Sequence, residues 1–132
     1  MRLVAALTVA FATAALASAA GAVQHSRAVG VETTIPFAGN GGIRNWEAGP
    51  PKSGVIYVQD RRLKWYRVQM SGPCIQSKGG PLTVQYTTDN NGTFDTFSKL
   101  SFPDYGNRTC GVESIKTSLP PPGQPGAPKP KP

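Results

Sequence analysis

Histidine is almost missing from this chain of 132 residues: the one copy, His25, lies near the N-terminus. The region able to fold therefore has no imidazole base, which excludes Ser-His-Asp and Cys-His catalysis there. Cysteine is nearly as scarce. Cys74 and Cys110 are the only two, with no C-x-x-C spacing, so neither a thioredoxin-type redox motif nor a cysteine zinc site is present. There is also no G-x-S-x-G and no phosphate-binding loop. Beyond the first 20 residues, no apolar run approaches the roughly 20 residues that a membrane-spanning helix needs.

What is present begins with a charged start at Arg2, an Ala-rich apolar run over 3–16 and the small residues Ala17-Ser18-Ala19. This is the pattern of a secretory signal peptide, read here as residues 1–19, with cleavage after Ala19 or Ala20. Residues 20–31 read as a small, polar linker. At the other end, residues 119–132 (LPPPGQPGAPKPKP) read as a disordered, basic, Pro-rich tail, because such a composition favours extended polyproline conformations and cannot bury a core. A single domain over 32–118 remains. The whole chain has a formal charge of +7, but Arg2, Arg27, Lys129 and Lys131 lie outside that domain, and all seven acids lie within it. The domain is thus only mildly basic, which argues against dedicated nucleic-acid binding. In an exported chain two cysteines most simply pair, and closing the loop between Cys74 and Cys110 stabilises by roughly 4 kcal/mol in the chain-entropy model.

Residues 54–74 (GVIYVQDRRLKWYRVQMSGPC) predict a β-hairpin ending in a turn and a cysteine. Val55, Ile56, Tyr57 and Val58 are four strand formers in a row. In the second half Tyr66, Val68 and Met70 alternate with Trp65, Arg67 and Gln69, which puts the two sets on opposite faces. Arg61, Arg62, Lys64 and Arg67 surround Trp65 and Tyr66. One reading is a basic aromatic surface for phosphate, anionic glycan or nucleic acid. The other is a solvated strand face on which Trp65 covers the sheet and the Arg stems lie across it. Four charges on one hairpin are common in basic domains, which favours the second.

Elsewhere the chain alternates strand patterns with turn clusters. Residues 32–37 (ETTIPF) predict a short edge strand ended by Pro36. In 43–48 the three-residue spacing of Ile43 and Trp46 suits either a helical turn or a bulged strand. Residues 82–88 predict a half-buried strand with Leu82, Val84 and Tyr86 on its apolar face. Asp89-Asn90-Asn91-Gly92 is a strong turn signal. Residues 93–102 predict a strand burying Phe94, Leu100 and Phe102, with a bulge near Thr96 to absorb the out-of-phase Phe97. Residues 110–117 predict the last strand. The fold class expected is all-β: a small antiparallel meander, as a curled sheet or small barrel, with one disulfide.

The acids Asp60, Asp89, Asp95, Asp104 and Glu113 are the raw material for a carboxylate pair of the glycosidase kind. Nothing in the sequence brings any two of them together. The stretch 89–95 loosely matches a calcium loop, but aligning Gly92 to the loop glycine places Thr87 and Ser98 where acids are required. No cofactor and no metal are expected.

ETTIPF with Ile43 and Trp46 downstream, then IYVQDRR, WYRV, GPC, GTFDxFS and R-x-C followed by Ser114-Ile115, together cover residues 33–115. In these blocks the chain resembles a family of small exported proteins of Gram-negative bacteria catalogued as a domain of unknown function. The resemblance implies a periplasmic, cell-surface or secreted place and a pair of cysteines at Cys74 and Cys110; it implies no activity. The resulting expectation is an exported, non-catalytic β domain with a binding or structural role in the cell envelope, its partner an envelope polymer or protein. The candidate surface is Arg61, Arg62, Lys64, Trp65, Tyr66 and Arg67. The alternatives are a polyanion binder using that surface and a small hydrolase using a carboxylate pair.

Overall fold

A computed structural model describes residues 27–76 and 82–131 and shows an all-β chain with no α-helix among them. The strands are β1 (Ile43–Ala48), β2 (Val55–Asp60), β3 (Trp65–Met70), β4 (Gln85–Tyr86), β5 (Lys99–Phe102) and β6 (Arg108–Ser118). All neighbouring pairs are antiparallel, in the order β1-β2-β3-β6-β5-β4, and the sheet curls into a half-barrel. The signal-peptide region, most of the linker and residues 77–81 lie outside the described residues.

The length of β6 makes the curl. Its first part pairs with β5 (Leu100 opposite Cys110), and its second part pairs with β3 (Val68 opposite Ile115). A register shift between Gln69 and Met70 bends the sheet at the changeover. Where β5 has left β6, residues 30–33 take its place: the Thr33 amide donates to the Ile115 carbonyl at 2.9 Å, and the Gly30 amide to Thr117 at 2.8 Å. Ile35 and Phe94 then exchange two backbone hydrogen bonds of 2.9 Å. The inner face carries Ile56, Val58, Val68, Met70, Leu100, Phe102 and Ile115, all at most 1% exposed. Rings close the gap between the outer strands. Trp46 of β1 lies 5.3 Å from Tyr86 of β4, both contact Phe94, and the Tyr86 hydroxyl donates to the Ala38 carbonyl at 2.7 Å. The Cys74–Cys110 disulfide is formed.

Several expectations need correction in detail. Segment 43–48 is a strand, and the irregularity between Ile43 and Asn45 is what lets Ile43 and Trp46, three apart, face the same way. Segment 32–37 makes only isolated bridges, Glu32 with Lys116 and Ile35 with Phe94. Regular pairing in 82–88 is limited to Gln85 and Tyr86; beyond them the Thr87 hydroxyl, not its carbonyl, accepts from the Lys99 amide at 2.9 Å. Segment 93–102 is broken by a tight turn rather than a bulge. The Asp95 carboxylate caps the Phe97 amide and the Ser98 hydroxyl accepts from the Asp95 amide, which leaves Phe97 89% exposed.

Contacts with the sheet extend on both sides of residues 32–118. Residues 27–31, read as linker, run along β6 and bury part of Arg27. The Pro-rich segment, read as disordered, turns back after Ser118: Pro121 is buried, Pro121 and Pro122 lie against Tyr57, and the Gln124 amide donates to the Glu47 carboxylate at 2.7 Å. Proline suits this path, since a strap crossing a sheet face needs no ladder donors.

Candidate functional site

The predicted surface divides at the sheet. Val58, Tyr66 and Thr117 stand opposite one another on the inner face, whereas Gln59, Trp65 and Ser118 form the adjacent row on the outer face. Arg67 also points outward, in a row with Tyr57 and Lys116. Trp65 is only 4% exposed, although it lies outside the main core. Trp65 and Arg67, on the outer face, therefore do not join the other candidates. This is the alternation of a strand carried into three dimensions: adjacent residues cannot share a face.

Arg61, Arg62, Lys64 and Tyr66 do come together. They line an open groove of ≈ 510 Å³ at the end of the curled sheet where β2 stops and β3 begins. Arg27, Thr33, Thr34, Pro36, Phe37, Gly42, Asp60 and Thr117 complete its lining.

Asp60 organises this end. It is 8% exposed, and one carboxylate oxygen accepts the Arg62 and Lys64 amides at 2.9 Å each, fixing the loop between β2 and β3. The other oxygen accepts the Tyr66 hydroxyl at 3.0 Å. Burial, and then the bond to Asp60, push the Tyr66 phenol above its usual range. The Arg27 guanidinium lies 4.3 Å from the centre of the Tyr66 ring and donates to the Trp65 carbonyl at 3.1 Å. Arg61 is held as well, donating to the carbonyls of Gly41 and Asn40 at 2.8 Å each. Its main role is to tie the hairpin loop to residues 40–42.

Arg62 and Lys64 differ from these. Both are exposed, and neither side chain has a partner among the described residues. The groove thus presents two anchored guanidiniums and two free cations. Its one carboxylate is already occupied by three donors. Such a surface favours anionic groups, with the Thr34 hydroxyl at hand as a further donor, whereas Thr33 and Thr117 already donate to the Thr34 and Ala28 carbonyls.

Three of the five acids considered for a hydrolytic pair, Asp60, Asp89 and Asp95, are engaged in turns. Asp89 caps the Asn91 and Thr93 amides at 2.8 Å each, and Asp95 serves its own turn as described above. Among the described residues no three His, Cys, Asp or Glu side chains are grouped to hold a metal. Sequence reasoning missed Arg27 and Phe37 at this site. Arg27 carried one usable signal, a charge just five residues before a strand-like segment, but its distance from the hairpin in the chain hid the contact with Tyr66. Comparisons with protein-family models, with curated proteins and with solved structures found no match.

Proposed function

We propose that this chain is an exported, non-catalytic β domain that acts by binding in the bacterial cell envelope, and that its binding site is the basic groove, which takes anionic groups. The observation that carries the reading is the convergence of Arg27, Arg61, Arg62 and Lys64 on one open groove whose single carboxylate, Asp60, is fully engaged from within. The Cys74–Cys110 disulfide and the signal-like N-terminus support the oxidising compartment that export implies. The block resemblance to small exported proteins points the same way. A hydrolytic role has no comparable support, because Asp60, Asp89 and Asp95 are engaged in turns and Asp60 is the one carboxylate in the groove.

The test is calorimetric titration of the oxidised chain with inorganic polyphosphate, beside neutral dextran. Binding to polyphosphate alone is expected, with affinity falling roughly twenty-fold between about 50 and 200 mM salt if about three cations engage the polymer. The variant Arg62→Ala/Lys64→Ala is expected to abolish most of it. Absence of binding at low salt, or binding indifferent to salt, overturns the proposal.

A further inference from the structure

The rim of the groove is apolar where a site for a soluble ion would have no use for it. Phe37 is 62% exposed and Leu63 57% exposed. Phe37 lines the groove, and Leu63 is at the tip of the hairpin loop, between the free cations Arg62 and Lys64. Val29 and Val31, also exposed, belong to the segment that carries Arg27 and Thr33 into the same groove. Among the described residues, two of the six large exposed hydrophobic side chains, Phe37 in the lining and Leu63 between two lining cations, thus belong to this one basic site.

The backbone adds an independent observation. Phe37 and Leu63 have φ of 60° and 62°, the left-handed region that glycine fills without strain. Each costs roughly 1–2 kcal/mol relative to an ordinary conformation. Of the four non-glycine residues with positive φ among those described, the other two are the polar Lys52 and Asn107. Both bulky apolar members stand at the groove, pushed outward by turns that would close more easily with glycine. Strain borne by bulky, exposed apolar residues motivates a functional reading of this surface.

We infer that this face docks on an anionic lipid surface, with headgroup phosphates at Arg62, Lys64 and Arg27 and with Leu63 and Phe37 entering the boundary between headgroups and acyl chains. This rests on the anion-binding reading above and adds the apolar half of the ligand. A soluble polyanion would use the cations and leave the two side chains in water. A lipid leaflet uses both, because weak electrostatic attraction and shallow apolar insertion are each insufficient alone and reinforce one another.

The experiment is co-sedimentation of the oxidised chain with phosphatidylcholine vesicles containing or lacking phosphatidylglycerol, with polyphosphate titration run in parallel. The informative variant is Leu63→Gly, since Leu63 is exposed and does not line the groove. It removes the apolar group at the loop tip while relieving the backbone, so it is expected to fold, as circular dichroism and a urea midpoint will check. Binding to the anionic vesicles only is expected. The glycine variant should lose about ten-fold in partition while keeping its polyphosphate affinity. Arg62→Ala/Lys64→Ala should lose both, the vesicle partition by about five-fold per cation removed. Equal vesicle binding by the folded glycine variant overturns the inference. So does polyphosphate binding without vesicle binding, which leaves the anion-binding reading standing. Binding to neither removes both.

Discussion

The Tyr66 hydroxyl donates to the buried Asp60 carboxylate at 3.0 Å, across the end of the hairpin whose loop Asp60 also caps. One acid thus sets the loop that displays Arg62 and Lys64 and also orients the ring on which Arg27 lies. Asp60→Ala strands two amides and a phenol in a buried place and is expected to cost about 2–4 kcal/mol. Tyr66→Phe leaves the loop cap intact and should cost about 1–2 kcal/mol. Urea unfolding of the two variants measures the difference; equal small losses would mean that Asp60 does not organise this end.

The same pair makes stability sensitive to alkali. The Tyr66 phenol is raised above its ordinary value by burial and by Asp60, and the Tyr86 phenol is raised by burial. A raised folded value means that the native state holds the proton more tightly. The resulting stability is therefore complete below the ordinary tyrosine range, near pH 10, and is lost as pH rises through it. Urea midpoints at about pH 9 and about pH 11 should show this loss, and Tyr66→Phe should show less of it. A variant as alkali-sensitive as the parent would assign the effect elsewhere.

Gly42 lines the groove, and a side chain there would collide with the Phe37 carbonyl oxygen. Gly42→Ala must displace the turn that holds Phe37, and with it the carbonyl that accepts the Arg61 amide at 3.0 Å. A loss of about 1–3 kcal/mol in urea unfolding is expected, together with weakened polyphosphate binding. Parent-like stability would show that the turn yields freely.

The Pro-rich segment acts as a cover for the outer face. Removing residues 119–132 should expose Trp65, shift tryptophan emission to the red and destabilise the chain by about 2 kcal/mol. Trp46, held on the inner side against Tyr86 and Phe94, should stay unchanged. An unaltered spectrum would mean that something other than this segment buries Trp65.

The strands were legible because side-chain alternation is a local property. Tyr66, Val68 and Met70 had to share a face, and Phe94, Leu100 and Phe102 had to be buried, whatever lay opposite. Turn chemistry was legible for the same reason: the Asp89 carboxylate meets amides two and four residues on. Composition misled at the termini. A Pro-rich run cannot build a core, but it can lie on one that others have built, and only the outer face of β1 and β2 shows that Pro121 and Gln124 have a place to go. The groove depended wholly on tertiary structure. Arg27, Phe37 and Tyr66 are far apart in the chain, and they meet because the second half of β6 accepts residues 30–33 along the edge that β5 leaves. The sequence by itself determined which residues alternate and turn, since these follow from neighbours within a few positions, and which cysteines pair, since there are only two. Which cations share a surface was decided by sheet order and curl, which depend on pairing between distant segments.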